Sequence, residues 1–336
     1  MKVLFYSHHP FAFTHGGLQT QILQTAKALV GIGVEVEFLR WMDSEQTGDI
    51  LHFFGRVPGS VLEAAQRKGI KVVLADLLTA QGARSEFRLS WERAGRGLIA
   101  RGLPRFATEV FNWDSYGRAD ACVALTEWEA HIMVEHYGAV QAKTHVVPNG
   151  VEGVFLSSKP VPRGPWLICT TTITARKRAL ELAEAAVRAR TPLWIIGKPY
   201  SEVESYAKKF FALARAHPDT LRYEGPIQDR AKLAQVYREA RGFVLLSAME
   251  SLSLSALEAA ACECPLLLSR LPWATTVFGN RACYCPLSAS ADRTAPFLRQ
   301  FYDAAPTLEP PKRPQTWVEV GESLKRLYEG LLSGCR

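Results

Sequence analysis

Residues 242–269 read GFVLLSAMESLSLSALEAAACECPLLLS, and they decide the architecture. Gly242–Leu246 is a short apolar run without alternation, as expected of a strand buried on both faces. A polar loop follows, then an alanine-rich stretch, Ser255–Ala261, that reads as a helix. A second apolar run, Pro265–Ser269, completes the pattern. Strand, helix and strand in so short a span make a βαβ unit, which builds parallel sheets covered by helices.

The same alternation extends upstream. Strands are expected at Trp166–Thr170, Leu193–Ile196 and Leu221–Tyr223, separated by helices Leu180–Ala189, Glu202–Ala216 and Arg230–Glu239. A loop rich in Ser and Pro, Ser157–Pro165, precedes this series. Beyond it lies a first series: strands Lys2–Tyr6, Val34–Leu39, Ile50–Phe54, Lys71–Leu74, Ala121–Leu125 and Thr144–Val147, with helices Leu18–Val30 and Ser60–Arg67. A last amphipathic stretch, Thr316–Leu332, reads as a helix. The expected organisation is α/β, with domains at 1–152 and 153–315 and a terminal helix at 316–336.

Composition agrees with two such domains. The 336 residues are 48% hydrophobic and 22% charged, enough to bury a sizeable core. No apolar run approaches the ~20 residues needed to cross a bilayer. Val3–Tyr6 is too short for a signal-peptide core, so a cytoplasmic protein is expected. Seven cysteines, an odd number, fit a reducing compartment. Cys262-Glu263-Cys264 and Cys283-Tyr284-Cys285 lack zinc-knuckle spacing and are expected to be buried thiols. The formal net charge of +7 favours anionic partners without choosing among them.

The chemistry concentrates at Glu250 and Glu258. Between them Ser251, Leu252, Ser253 and Leu254 lead into a helix N-terminus, whose unpaired amides attract phosphate. The flanking carboxylates are acceptor-only groups suited to hydroxyl-rich ligands. A plainer reading makes Glu258 a solvated first-turn residue that suits the helix dipole. Arg176-Lys177-Arg178 opens another helix. Cations there sit at the positive end of the dipole, which favours a bound anion. Gly16-Gly17 follows the first strand and lets backbone amides approach a phosphate.

The stretch from Phe243 to Pro265 resembles the E-x7-E signature of retaining glycosyltransferases of family 4. Other landmarks come in matching order: His15-Gly16-Gly17-Leu18-Gln19-Thr20, Ala124-Leu125-Thr126-Glu127, Pro148-Asn149-Gly150-Val151, Trp194-Ile195-Ile196-Gly197 and Gly225. The resemblance implies the GT-B fold: two Rossmann-like domains with parallel sheets facing an interdomain cleft. It further implies that the final helix, with Trp317 and Tyr328, packs back toward the first domain. Glu258 would hold the donor ribose and Glu250 the transferred sugar, with Lys177 and Arg176 on the diphosphate. The implied reaction moves a sugar from a UDP- or GDP-sugar to a glycan or lipid-linked acceptor, without metal or other cofactor. No Asp-x-Asp ligand pair and no Walker loop occur, and Gly95-Arg96-Gly97 does not follow a strand. Nucleic acid is not an expected partner.

Two positions depart from the family pattern. Thr172 stands where relatives carry an Arg, so Arg176 or Arg178 is the expected substitute. Asp76 stands at or beside a His found near the transferred sugar, while His8, His9, His15 and His52 remain as candidates. Residues 84–105 form the most basic stretch, with Arg84, Arg88, Arg93, Arg96, Arg101 and Arg105. Phe87, Trp91, Ala94 and Leu98 recur there at helical spacing. This stripe either packs on the sheet or rests on the anionic inner face of a membrane.

Overall fold

The computed structural model describes residues 1–8, 11, 16–102, 114–156, 161–288 and 290–334, and of residues 96–102 the backbone only. The chain divides into two compact units: Met1–Gly150 with Gln315–Arg336, and Val151–Pro314. His9, His15, Arg105 and Cys335 lie outside the described residues, as do the side chains of Arg96, Leu98 and Arg101.

The first unit holds strands β1 (Lys2–Ser7), β2 (Glu35–Phe38), β3 (Ile50–Phe54), β4 (Lys71–Leu74), β5 (Ala121–Ala124) and β6 (Thr144–Val146). They form one sheet in the order β2-β1-β3-β4-β5-β6, and every pairing is parallel. All residues of β3 and β5 are buried, because helices cover both faces. The helices of this segment are α1 (Gly17–Gly31), α2 (Gly59–Arg67), α3 (Thr79–Gly82), α4 (Glu86–Gly102), α5 (Ser115–Arg118) and α6 (Glu127–Tyr137). Thr126 caps α6 by accepting from the Glu129 amide, and Gly138 ends it in the left-handed region.

The C-terminal helix Trp317–Ser333 belongs to this first unit. A Thr316–Glu319 capping box starts it, and Gly321 lets it approach Ala28 of α1. Tyr328 is fully buried, with its hydroxyl 2.5 Å from His52 Nδ1.

The second unit contains β7 (Leu167–Thr170), β8 (Leu193–Ile196), β9 (Leu221–Tyr223), β10 (Gly242–Leu245), β11 (Leu266–Ser269) and β12 (Cys283–Cys285). Its parallel sheet has the order β12-β11-β10-β7-β8-β9. The helices are α7 (Ala179–Ala189), α8 (Ser205–Ala216), α9 (Arg230–Glu239), α10 (Leu254–Ala261), α11 (Pro272–Phe278) and α12 (Ala291–Ala304). β7 and β10 are neighbours, yet the chain leaves β7 toward β8 and leaves β10 toward β11. That reversal of strand order is a topological switch point, where open α/β sheets hold their ligands.

Three expectations need correction. Phe87 and Trp91 are 74% and 67% exposed, so their stripe does not pack on the sheet; Leu89, on nearly the opposite face of the helix, is the buried residue among the described side chains of α4. Glu258 is not a solvated first-turn residue but a buried one in the second turn of α10. The helix expected from Glu202 starts at Ser205, because Glu204 keeps an extended backbone. Cys262 and Cys264 are buried thiols, each pushed up to about 12 by burial. Cys285 is also buried, whereas Cys283 is only partly so. No helix among the described residues is long and apolar enough to cross a membrane.

Candidate functional site

The switch point of the second unit gathers most of the residues singled out in the sequence. Two loops leave the C-terminal ends of adjacent strands, residues 171–178 after β7 and residues 246–253 after β10. The Ala248 amide donates to the Arg176 carbonyl (2.8 Å), joining one loop to the other. Arg176 Nη1 donates to the Met249 carbonyl (3.1 Å) and stands 3.6 Å from Glu250 Oε2. Lys177 Nζ donates to Glu250 Oε1. Glu250 is buried, so both cations offset a carboxylate withdrawn from water.

Ser251, Leu252 and Ser253 are buried beside it. Ser253 is the N-cap of α10, and its hydroxyl accepts from the Ala256 amide (3.3 Å). One amide of this helix start is thus satisfied by the chain itself. Thr172 lies in the β7 loop, partly exposed, with its carbonyl accepting from Thr171 Oγ1 (3.3 Å). Arg178 adopts the left-handed region (φ 56°) as N-cap of α7, and its guanidinium donates to the Ser288 carbonyl rather than turning to Glu250. Gly197 has φ 144°, and a Cβ there would collide with the Thr171 carbonyl. Glycine is therefore required where the loop after β8 passes the loop after β7.

Glu258 sits on α10 with both oxygens engaged. Arg230 Nη2 donates to Oε1, and the Tyr237 hydroxyl donates to Oε2 (3.2 Å). Arg230 also reaches Glu152 through Nε (2.7 Å) and lies over the Phe155 ring (4.7 Å). Burial pushes the Glu258 carboxyl above its ordinary range, and Arg230 opposes that rise. The sequence reading missed Arg230, Tyr237 and Glu152. Arg230 and Tyr237 are seven residues apart on α9 and so share a face; that spacing was the only signal.

Gly16, Gly17 and Asp76 belong to the first unit. Gly16 has φ 147° and precedes α1, which begins at Gly17. Gly16 therefore serves the turn by its backbone freedom. Asp76 follows β4 and is already engaged: the buried Tyr116 hydroxyl donates to Oδ2, and Arg56 Nε lies 3.7 Å away. Glu129, which the reading passed over beside Glu127, is fully buried and accepts from the Leu78 (3.2 Å) and Leu125 (3.0 Å) amides. It thereby braces the loop that carries Asp76. His52 is also structural, since burial lowers its pKa to about 3 and keeps it neutral.

Two six-stranded parallel sheets, one carrying paired carboxylates and cations at its switch point, define a ligand-binding α/β protein of the doubly wound class. More particularly, residues 164–295, within the second unit, match the family model of glycosyl transferases group 1. D-inositol 3-phosphate glycosyltransferase of Nocardiopsis dassonvillei is 30% identical over 184 residues, covering 48% of this chain and 43% of the relative. The enzyme of the same name from Acidothermus cellulolyticus is 28% identical over 184 residues, covering 48% and 41%. The chain thus spans less than half the length of the curated relatives it matches.

Among solved structures, a glycosyltransferase from Rickettsia africae superposes with a TM-score of 0.67 at 13% identity, covering 98% of each chain. Sucrose-phosphate synthase from Thermosynechococcus elongatus gives 0.66 at 16% identity, covering 99% of each. Anabaena HepE, in complex with UDP and glucose, gives 0.64 at 12% identity, covering 98% of this chain and 99% of that one. At such identities the likeness concerns the fold, which is that of the GT-B glycosyltransferases.

Proposed function

We propose that the protein is a retaining glycosyltransferase. It moves a sugar from a UDP- or GDP-sugar to an acceptor hydroxyl, without a metal ion, in the synthesis of cell-surface polysaccharide or glycolipid. The observation that carries this reading is the pair of buried carboxylates, Glu250 and Glu258, on either side of the α10 N-terminus, each paired with a cation. The amides of Ser251–Leu254, with Lys177 and Arg176, take the diphosphate. Glu258 accepts from the ribose hydroxyls and Glu250 from the transferred sugar. As the bond to the leaving phosphate breaks, the two cations stabilise the charge that develops on it. The first unit takes the glycan or lipid-linked acceptor, and Asp76, Gly16 and Gly17 are its own candidate site residues. The complex of HepE with UDP supports a uridine nucleotide as donor.

Phe87 and Trp91, exposed beside Arg88 and Arg93 on α4, support peripheral contact with an anionic membrane at the cytoplasmic face. A second reading, a non-catalytic scaffold that binds a nucleotide sugar or glycan, draws on Thr172 and on the engagement of Asp76 by Tyr116.

Thermal stabilisation by UDP, GDP, ADP and CMP tests the donor site. A nucleotide at about 100 times its dissociation constant adds roughly 2.7 kcal/mol, and Glu258→Ala is expected to lose that gain. No response to any nucleotide rejects the site. Donor hydrolysis abolished by Glu250→Ala marks the enzyme, and affinity without turnover marks the scaffold. An inverted anomer in the product rejects the retaining mechanism.

A further inference from the structure

We propose that Glu86, His131 and His136 of the first unit form a binding site for a divalent transition cation, with zinc the best match. Glu86 is the first residue of α4, while both histidines lie on α6. Glu86 Oε2 is 3.2 Å from His131 Nε2, and Oε1 is 3.0 Å from His136 Nε2. The three ligand atoms all lie within 4.8 Å of one another. Tetrahedral zinc with bonds near 2.0 Å spaces its ligand atoms about 3.3 Å apart, and each imidazole nitrogen already stands within that distance of one oxygen of the Glu86 carboxylate, His131 of Oε2 and His136 of Oε1.

The rings are held in place before any ion arrives. His131 stacks on Trp128 (centroids 5.5 Å apart, planes at 18°), and Trp128 Nε1 donates to the Gly82 carbonyl (3.0 Å). The His136 side chain is only 2% exposed, so its rotamer is set by packing. Glu86 and His131 are about half exposed, which leaves an entry path and a position for a water ligand.

The donor set decides the ion. Two imidazoles and one carboxylate suit zinc and its neighbours, whereas magnesium and calcium take oxygen ligands. The plainer arrangement has both imidazoles donating an Nε2–H to one carboxylate. A zinc ion would replace both hydrogen bonds through the Nε2 lone pairs, with the Nε2 protons moved to Nδ1 or, from a protonated ring, released to solvent. The ion would clip the first turn of α4, which carries Phe87 and Trp91, to α6. It lies outside the residues proposed for sugar transfer and serves as a structural clip rather than a Lewis acid.

The test uses the full chain without an affinity tag, stripped by chelator and titrated with zinc chloride in competition with a chromophoric chelator. One zinc per chain is expected, with binding at least roughly tenfold weaker in His131→Ala and in Glu86→Gln. His136 is buried and its loss threatens the fold, so the exposed His131 carries the test, with circular dichroism confirming that the variant is folded. Cobalt bound in place of zinc should give visible absorption that His131→Ala abolishes. Absence of stoichiometric zinc, or equal affinity in wild type and both variants, overturns the proposal.

Discussion

The ammonium of Lys177 rests on Oε1 of Glu250, although 73 residues separate them in sequence. They meet because β7 and β10 are neighbouring parallel strands, so the loops leaving their C-terminal ends lie side by side. In the proposed reaction, a diphosphate entering this site competes with Glu250 for the same cation, and the carboxylate is then released toward the sugar.

Lys177→Ala is expected to abolish stabilisation by the donor nucleotide and to destabilise the free protein by about 3 kcal/mol. Glu250 is buried, and Arg176 at 3.6 Å remains as its described ion partner. Urea unfolding measures the second effect. Adding Glu250→Gln should recover much of the stability but none of the nucleotide binding. A variant that keeps both properties would show that the pair plays no part in the site.

Arg230→Gln should make stability more sensitive to pH. Burial, the larger influence, raises the Glu258 carboxyl from 4.5, and Arg230 restrains that rise. A raised carboxyl pKa gives stability that is full below the ordinary carboxylate range and lost as pH rises through the folded value. Removing Arg230 deepens that loss, by about 2 kcal/mol at neutral pH once the partial exposure of Arg230 is allowed for. Glu258→Gln in the same background should remove the pH dependence, as unfolding at about pH 4.5 and about pH 8 would show.

His52 contributes with the opposite sign. Burial lowers its pKa from 6.5 to about 3, so the unfolded chain binds a proton that the folded chain refuses. Stability attributable to His52 therefore falls as pH drops below 6.5, by about 1.4 kcal/mol per pH unit until the folded value is reached. His52→Gln should flatten that part of the profile, at the cost of the contact with Tyr328. An unchanged slope would mean that His52 is protonated within the fold.

Gly150→Ala tests the junction between the body of the first unit and its returning helix. A Cβ at this position would lie 2.5 Å from the Trp317 nitrogen and 2.6 Å from the Thr316 carbonyl carbon. Both are backbone atoms at a capped helix start and cannot swing aside. A loss of about 2 kcal/mol is expected in thermal or urea unfolding, and a neutral result would show that the helix start can shift.

Replacing Phe87 and Trp91 together by serine should leave stability nearly unchanged, since both side chains are largely exposed. The same change should reduce sedimentation with vesicles rich in phosphatidylglycerol, as should high salt. Vesicle binding equal to that of the wild type would place any membrane contact elsewhere.

Alternation in residues 166–269 made the parallel sheet of the second unit legible, because strands buried on both faces must be apolar throughout while their helices keep a polar side. Glu250, Glu258 and Lys177 were legible for a related reason: they lie at strand and helix ends that local patterning marks. Arg230 and Tyr237 were not, because a cation and a phenol on an ordinary helix face look like surface residues until packing turns them toward Glu258. The exposure of Phe87 and Trp91 was equally hidden. Helical spacing names an apolar stripe, but only the position of Leu89 tells which side of α4 faces the core.

By itself, then, the sequence determined the class of fold, the order of its elements and the loops that carry the carboxylates, since these follow from local periodicity and chain geometry. The tertiary structure alone decided the partners: Lys177 with Glu250, Arg230 with Glu258, Tyr116 with Asp76, and Glu86 with two histidines. Each pair joins residues distant in the chain, and such proximity depends on strand order and helix packing, which no local pattern encodes.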